Sequence, residues 1–125
     1  VDHLTIILPL PPKQLSPNWR GHYFLKAKAV KTYRETAYAY ALAALGRQDK
    51  PWWPAATEQT RFYFKGTNTR DPDNLASMLK PVWDGFQDAG VFANDNRLIH
   101  LPLIIIIGDD QPRVEIEIQP TPKTR

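Results

Sequence analysis

"TRFYFKGTNTRDPDNLASMLKPVWDGFQDAG", residues 60–90, contains both periodicities on which a fold can be built. Its opening alternates, with Phe62 and Phe64 set between larger polar neighbours, which predicts a strand over 60–66. The remainder is helical. Asp71 is a good N-cap, Pro72 an ideal first helical residue, and Asp73 suits the positive end of the helix dipole. Leu75, Leu79, Val82, Trp83 and Phe86 then fall on one side, and Gly90 is the stop, so the spacing predicts a helix over 73–89. Pro81 lies inside that helix and lacks a backbone donor, so it should kink it or tighten a turn.

Upstream, "HLTIILPL" (3–10) reads as a strand ended by Pro11 and Pro12, and "KQLSPNWRGHY" reads as a loop. From about Lys26, Val30, Tyr33, Ala37, Ala41, Ala44 and Leu45 recur at spacings of three and four, with Gly46 as a plausible stop. Downstream, "RLIHLPLIIIIG" and "RVEIEIQ" flank "GDDQP", which has the composition of a hairpin turn. The order β-α-β-α-β-β predicts one α+β domain over 1–125, with two helices packed on one face of a mixed sheet and a polar tail at 119–125.

Composition narrows the function classes. With no cysteine, disulfide scaffolds, thiol catalysis and Cys-ligated zinc are excluded, and His3, His22 and His100 show no metal-binding spacing. No apolar run reaches the roughly 18–20 residues that cross a bilayer, so no membrane partner is expected. The start "VDHLTIILPL" lacks a basic signal-peptide region, and its Val reads as a trimmed start; a cytoplasmic location is expected.

Charge is unevenly distributed. Residues 1–65 carry 10 Lys/Arg against 4 Asp/Glu, whereas residues 66–125 carry 6 against 9. Within 11–34, Lys13, Arg20, Lys26, Lys28, Lys31 and Arg34 meet no acid at all. That pattern suits either a solvated face or an arm that meets a polyanion. Trp19, Tyr23 and Phe24 interleave with these bases, where they either pack under the loop or stack on an unpaired base.

The acidic residues also admit two readings. Asp71 and Asp73 account for themselves as helix caps. They also sit two apart at a strand-to-helix junction, and a second cluster, "NDN" at 94–96, follows the same helix. If 91–95 runs back along that helix, Asp95 returns beside the first pair. Carboxylates that close repel unless a cation neutralises them, and all-oxygen donors favour Mg²⁺, with Mn²⁺ a possible substitute. Lys80, two turns beyond Asp73 on the expected helix, either faces solvent or contacts a phosphate.

These motifs resemble the RusA-type Holliday junction resolvases, small phage and prophage endonucleases. The matching pieces are "TIILPLPP" (5–12), "SPN", "R" and "H" within 16–22, "YR" (33–34), "RDPDNL" (70–75), "KPVWDGFQDAGVFANDNRLI" (80–99) and "RVEIEI" (113–118), in family order over nearly the whole chain. The resemblance implies a homodimeric, Mg²⁺-dependent endodeoxyribonuclease that resolves four-way DNA junctions by paired symmetric nicks in recombination and repair. It implies Asp71, Asp73 and Asp95 as catalytic metal ligands and Lys80 as a fourth catalytic residue. The basic arm (Lys13, Asn18, Arg20, Lys26, Lys28, Lys31 and Arg34) and Arg70 are the candidate DNA contacts, and the resemblance supports both as regions. The apolar "LIHLPLIIII" and the sheet edge are the expected dimer contact. This chain departs from the pattern twice: Asn94 replaces the first acid of the late pair, and Lys80 lies three residues further from "DNL". Two alternatives stay open, a nuclease of other branched phage DNA and a non-catalytic DNA-binding relative.

Overall fold

The computed structural model describes residues 2–122. Its elements are β1 (Leu4–Leu8), α1 (Tyr23–Leu45), β2 (Ala56–Phe64), α2 (Pro72–Ser77), α3 (Lys80–Asp88), β3 (Leu98–His100), β4 (Ile104–Ile107) and β5 (Arg113–Pro120). This is the expected single α+β domain with helices on a mixed sheet, and its element order is the expected one.

The central strand is β2. It pairs antiparallel with β5 on one side and parallel with β3 and then β4 on the other, while β1 closes the far edge by pairing antiparallel with β5. The strand starts four residues earlier than its Phe alternation indicated. Ala56, Glu58 and Thr60 continue the buried face of Phe62 and Phe64, and two polar residues on that face conceal the period.

The expected hairpin is not formed. β4 and β5 lie on opposite sides of β2, which separates them by two strand spacings of about 4.8 Å each. Residues 108–112 step over the end of β2, where the Asp109 N–H donates to the Phe64 carbonyl at 3.0 Å and Gly108 takes a positive φ of 76°. A five-residue link covers that distance with chain to spare for passing over the end of β2, which a two-residue hairpin loop lacks.

The expected helix over 73–89 is two helices. Pro81 lacks the donor and its ring conflicts with the carbonyl four residues back, at Ser77, which is where α2 ends. Lys80 therefore opens α3 instead of riding the same helix as Asp73.

The first helix begins at Tyr23 because the His22 imidazole accepts from the Phe24 N–H at 3.2 Å. Its buried face, Tyr33, Ala37, Ala41 and Leu45, repeats every four residues. It lies close against α3: a Cβ on Gly85 would stand 2.4 Å from the Arg34 carbonyl oxygen. The core between helices and sheet is filled by Phe62, Phe86, Phe92, Ile6, Ile116 and Ile118.

Candidate metal and nucleic-acid site

The start of α2 behaves as its sequence indicated. Asp71 caps the helix, with one carboxylate oxygen accepting the Asp73 N–H at 2.9 Å, and both side chains are exposed. The other Asp71 oxygen and both Asp73 oxygens have no protein donor among the described residues. Free, hard oxygens at one helix start suit Mg²⁺ or Mn²⁺ by chemistry.

Residues 91–95 do run back along α3. The Asp95 N–H donates to the Gln87 side-chain carbonyl at 3.1 Å, and the Asp95 carboxylate reaches the first residue of α3. What it meets there is Lys80, at 2.5 Å, and the same ammonium donates to Asp84 at 3.1 Å. Asp95 therefore joins Lys80, not the Asp71–Asp73 pair, and among the described residues no three His, Asp or Glu side chains stand together as a ligand set. An ammonium is the counter-charge the chain itself supplies to two converging carboxylates. The hydrogen bond that Lys80 donates to Asp95, then the one it donates to Asp84, raises the Lys80 pKa above its ordinary value. Lys80 is thus a fixed cation, two-thirds exposed, and not a base.

The basic segment borders this rim. Lys26 and Lys80 line one depression of about 270 Å³, together with Pro17 and Ser77. Lys13, Asn18, Arg20, Lys26, Lys28 and Lys31 are all exposed, as a nucleic-acid contact requires. Two other expected contacts are engaged within the protein. Arg34 makes a two-pronged pair with Asp88 of α3 at 2.7 and 2.9 Å, and Arg70 lies over the Phe64 ring at 3.7 Å while donating to the Asn68 carbonyl. The aromatics divide likewise. Trp19 packs over Gly21, where an added Cβ would meet its ring at 2.3 Å, whereas Tyr23 and Phe24 are 68% and 63% exposed. The His22 ring stacks on Tyr23 and on Phe24, each at a centroid distance of 4.9 Å, and those two rings meet tilted at 4.3 Å.

A second cluster went unread in the sequence. Glu58 of β2 and His100 of β3 are joined at 2.5 Å through the His Nδ1, and Thr60 donates to the other Glu58 oxygen at 2.7 Å. They line a cavity of about 460 Å³ shared with Asp73, Trp83 and Pro102. A lone His and a Glu in a polar-looking strand carry no spacing signal; only the pairing of β2 with β3 puts Glu58 opposite His100.

At the β3–β4 edge, Ile99, Leu101, Ile104 and Ile107 are substantially exposed. Among the described residues no helix is long and apolar enough to cross a membrane.

No protein-family model matches the chain. It is 35% identical over 109 residues to an uncharacterised protein of Xylella fastidiosa (strain Temecula1 / ATCC 700964), an alignment covering 80% of this chain. The chain spans 65% of that relative's length.

Proposed function

We propose that this protein is a Mg²⁺-dependent endonuclease of branched DNA, resolving four-way junctions by paired nicks as a homodimer in the cytoplasm of a bacterial or phage-infected cell. The observation that carries the reading is the return of Asp95 to Lys80, which puts a third carboxylate and a permanent cation beside the basic segment. The residue pattern that resembles RusA-type resolvases adds the choice of substrate.

Asp71 and Asp73 would hold the metal, which when bound supplies Lewis-acid charge and a more acidic water, and Asp95 would complete the set by leaving Lys80 for the ion. Lys80 positions a phosphate: its ammonium stays charged and exposed beside Asp95 and Asp84. Lys26 and Lys28, on the first turns of α1, contact flanking phosphates, and Tyr23 and Phe24 offer faces to an unpaired base at the branch. The apolar β3–β4 edge meets a second copy, and two-fold symmetry then gives two sites for the two strands to be cut.

The test is a labelled mobile four-way junction beside a matched linear duplex, each with Mg²⁺ or with EDTA. Paired symmetric nicks in the junction alone, lost with EDTA, are expected. Cutting of flaps or forks in preference to junctions would move the substrate to other branched DNA. Tight binding with no metal-dependent cutting would overturn the enzyme reading and leave Asp71 as a helix cap and Asp95 as the partner of a surface lysine.

A further inference from the structure

We propose that His100 is an additional catalytic residue, the acceptor of the attacking water's proton, and that buried Glu58 is its positioning residue; this rests on the nuclease reading above. The argument starts with the cost of Glu58. It is 4% exposed, on the core-facing side of the central strand, and a carboxylate taken there loses several kcal/mol of hydration. Both its oxygens are satisfied, one by the Thr60 hydroxyl at 2.7 Å and one by the His100 Nδ1 at 2.5 Å. Glu58 and Thr60 are the only polar residues among the buried ones described. The core thus accommodates a polar pair whose outward end is an imidazole.

That imidazole is not itself a core group. The His100 side chain is 49% exposed, and Nε2 has no hydrogen-bond partner among the described residues. A carboxylate only accepts, so it places the ring proton on Nδ1 and leaves the lone pair on Nε2. The Trp83 ring, 5.1 Å away by centroid, packs against the imidazole and restricts its rotation. The result is a base held in one tautomer and one orientation, the arrangement by which a carboxylate equips a histidine for proton transfer.

Its position fits the reaction. The cavity it lines is about 460 Å³, within the range of sites that admit a small group, and the only ionisable side chains on its walls are Glu58, Asp73 and His100. In the step assigned here, the water oxygen bonds to phosphorus and its proton passes to His100 Nε2. The bond from phosphorus to the leaving deoxyribose oxygen breaks, and that oxygen takes a proton from bulk water. His100 then returns its proton to solvent, and Glu58 holds the imidazolium in the interval.

The experiment is cleavage of the four-way junction by the full chain, as kcat and KM, for wild type, His100→Ala, His100→Gln and Glu58→Gln, with and without added imidazole. A positioned base contributes about 10²–10⁴-fold, so both His100 variants should fall by at least about 100-fold in kcat with KM unchanged. Imidazole should restore His100→Ala at least about tenfold, into the space the ring vacates. Glu58→Gln still accepts from Nδ1 but lacks the charge, and should lose kcat about tenfold with KM unmoved and no response to imidazole. His100→Ala within about threefold of wild type overturns the proposal, as does a slow, normally melting His100→Ala that imidazole does not rescue. Should that variant fail to fold, His100→Gln decides alone, since its amide can keep the bond to Glu58 without supplying a base. A wild-type protein that does not cut any branched DNA overturns the nuclease reading itself, and this proposal with it.

Discussion

Two carboxylate pairs frame the candidate site, one with an ammonium and one with an imidazole, and they are built in opposite ways. At the rim, Asp95 and Lys80 meet where the lysine is 65% exposed and shared with Asp84. On the cavity wall, Glu58 and His100 meet with the carboxylate almost wholly buried and its second oxygen taken by Thr60. Water and salt screen the rim pair, so it exchanges partners at little cost and suits a group that must greet a phosphate. The inner pair sits at low dielectric, where any change of partner exposes the full desolvation cost. Adjustable charge lies outside and fixed orientation inside.

The largest effect that would sharpen this contrast lies with the proposed metal ligands. Asp73→Asn and Asp95→Asn should each lower Mg²⁺-dependent junction cutting by about 10³-fold, the equivalent of about 4 kcal/mol of lost charge stabilisation, with urea melting unchanged. Cutting by Asp95→Asn at the wild-type rate would reduce the rim to a surface ion pair. Next comes stability. Thr60→Val leaves a buried Glu58 oxygen without its donor and should cost about 1–3 kcal/mol in urea unfolding. Asp84→Asn at the rim should cost less than about 0.5 kcal/mol, and equal losses in the two variants would erase the distinction between the regions.

Binding should separate the exposed aromatics from the bases around them. Replacing Tyr23 and Phe24 together by Ala should weaken junction binding by about 1–3 kcal/mol, with the salt dependence intact. Lys26→Ala and Lys28→Ala should each flatten the salt slope by about one. A change in slope from the aromatic double variant would mean that those rings merely hold the lysines in place.

A small, pH-dependent effect comes from Arg34 and Asp88, a third pair, which ties α1 to α3. The Arg34 hydrogen bond holds the Asp88 carboxyl below its ordinary value. Its stabilisation is therefore complete above the unfolded carboxylate's pKa and disappears as pH falls through the lower folded one. With both side chains well exposed it should amount to less than about 1 kcal/mol. The stability gap between wild type and Arg34→Ala, measured in urea from neutral pH downward, should close on acidification. A gap that persists would assign it to packing of the arginine stem instead.

Much of this architecture was legible in the residues. The Tyr33–Ala37–Ala41–Leu45 repeat, the Asp71-Pro72 helix start and a disturbance of the helix by Pro81, though not its division into two, are local: capping, ring geometry and burial period act within a few residues of chain. The hairpin expected at residues 108–112 failed for the converse reason. Turn composition specifies a change of direction, but the partner a strand takes depends on which edges are free, and β2 takes both. The early start of β2 was hidden because Glu58 and Thr60 read as polar positions, although their partners let them face the core.

The site divides along the same line. By itself the chain determined the helix start that presents Asp71 and Asp73, the basic segment at 11–34, and the acidic turn that carries Asp95, because each depends on neighbours in sequence. Only the tertiary structure decided that Asp95 would meet Lys80, that Arg34 and Arg70 would be engaged within the protein, and that Glu58 would stand behind His100, 42 residues away. Contacts at that separation are set by strand pairing and helix docking, whose favourable terms accrue across the whole core, so no short motif can encode them.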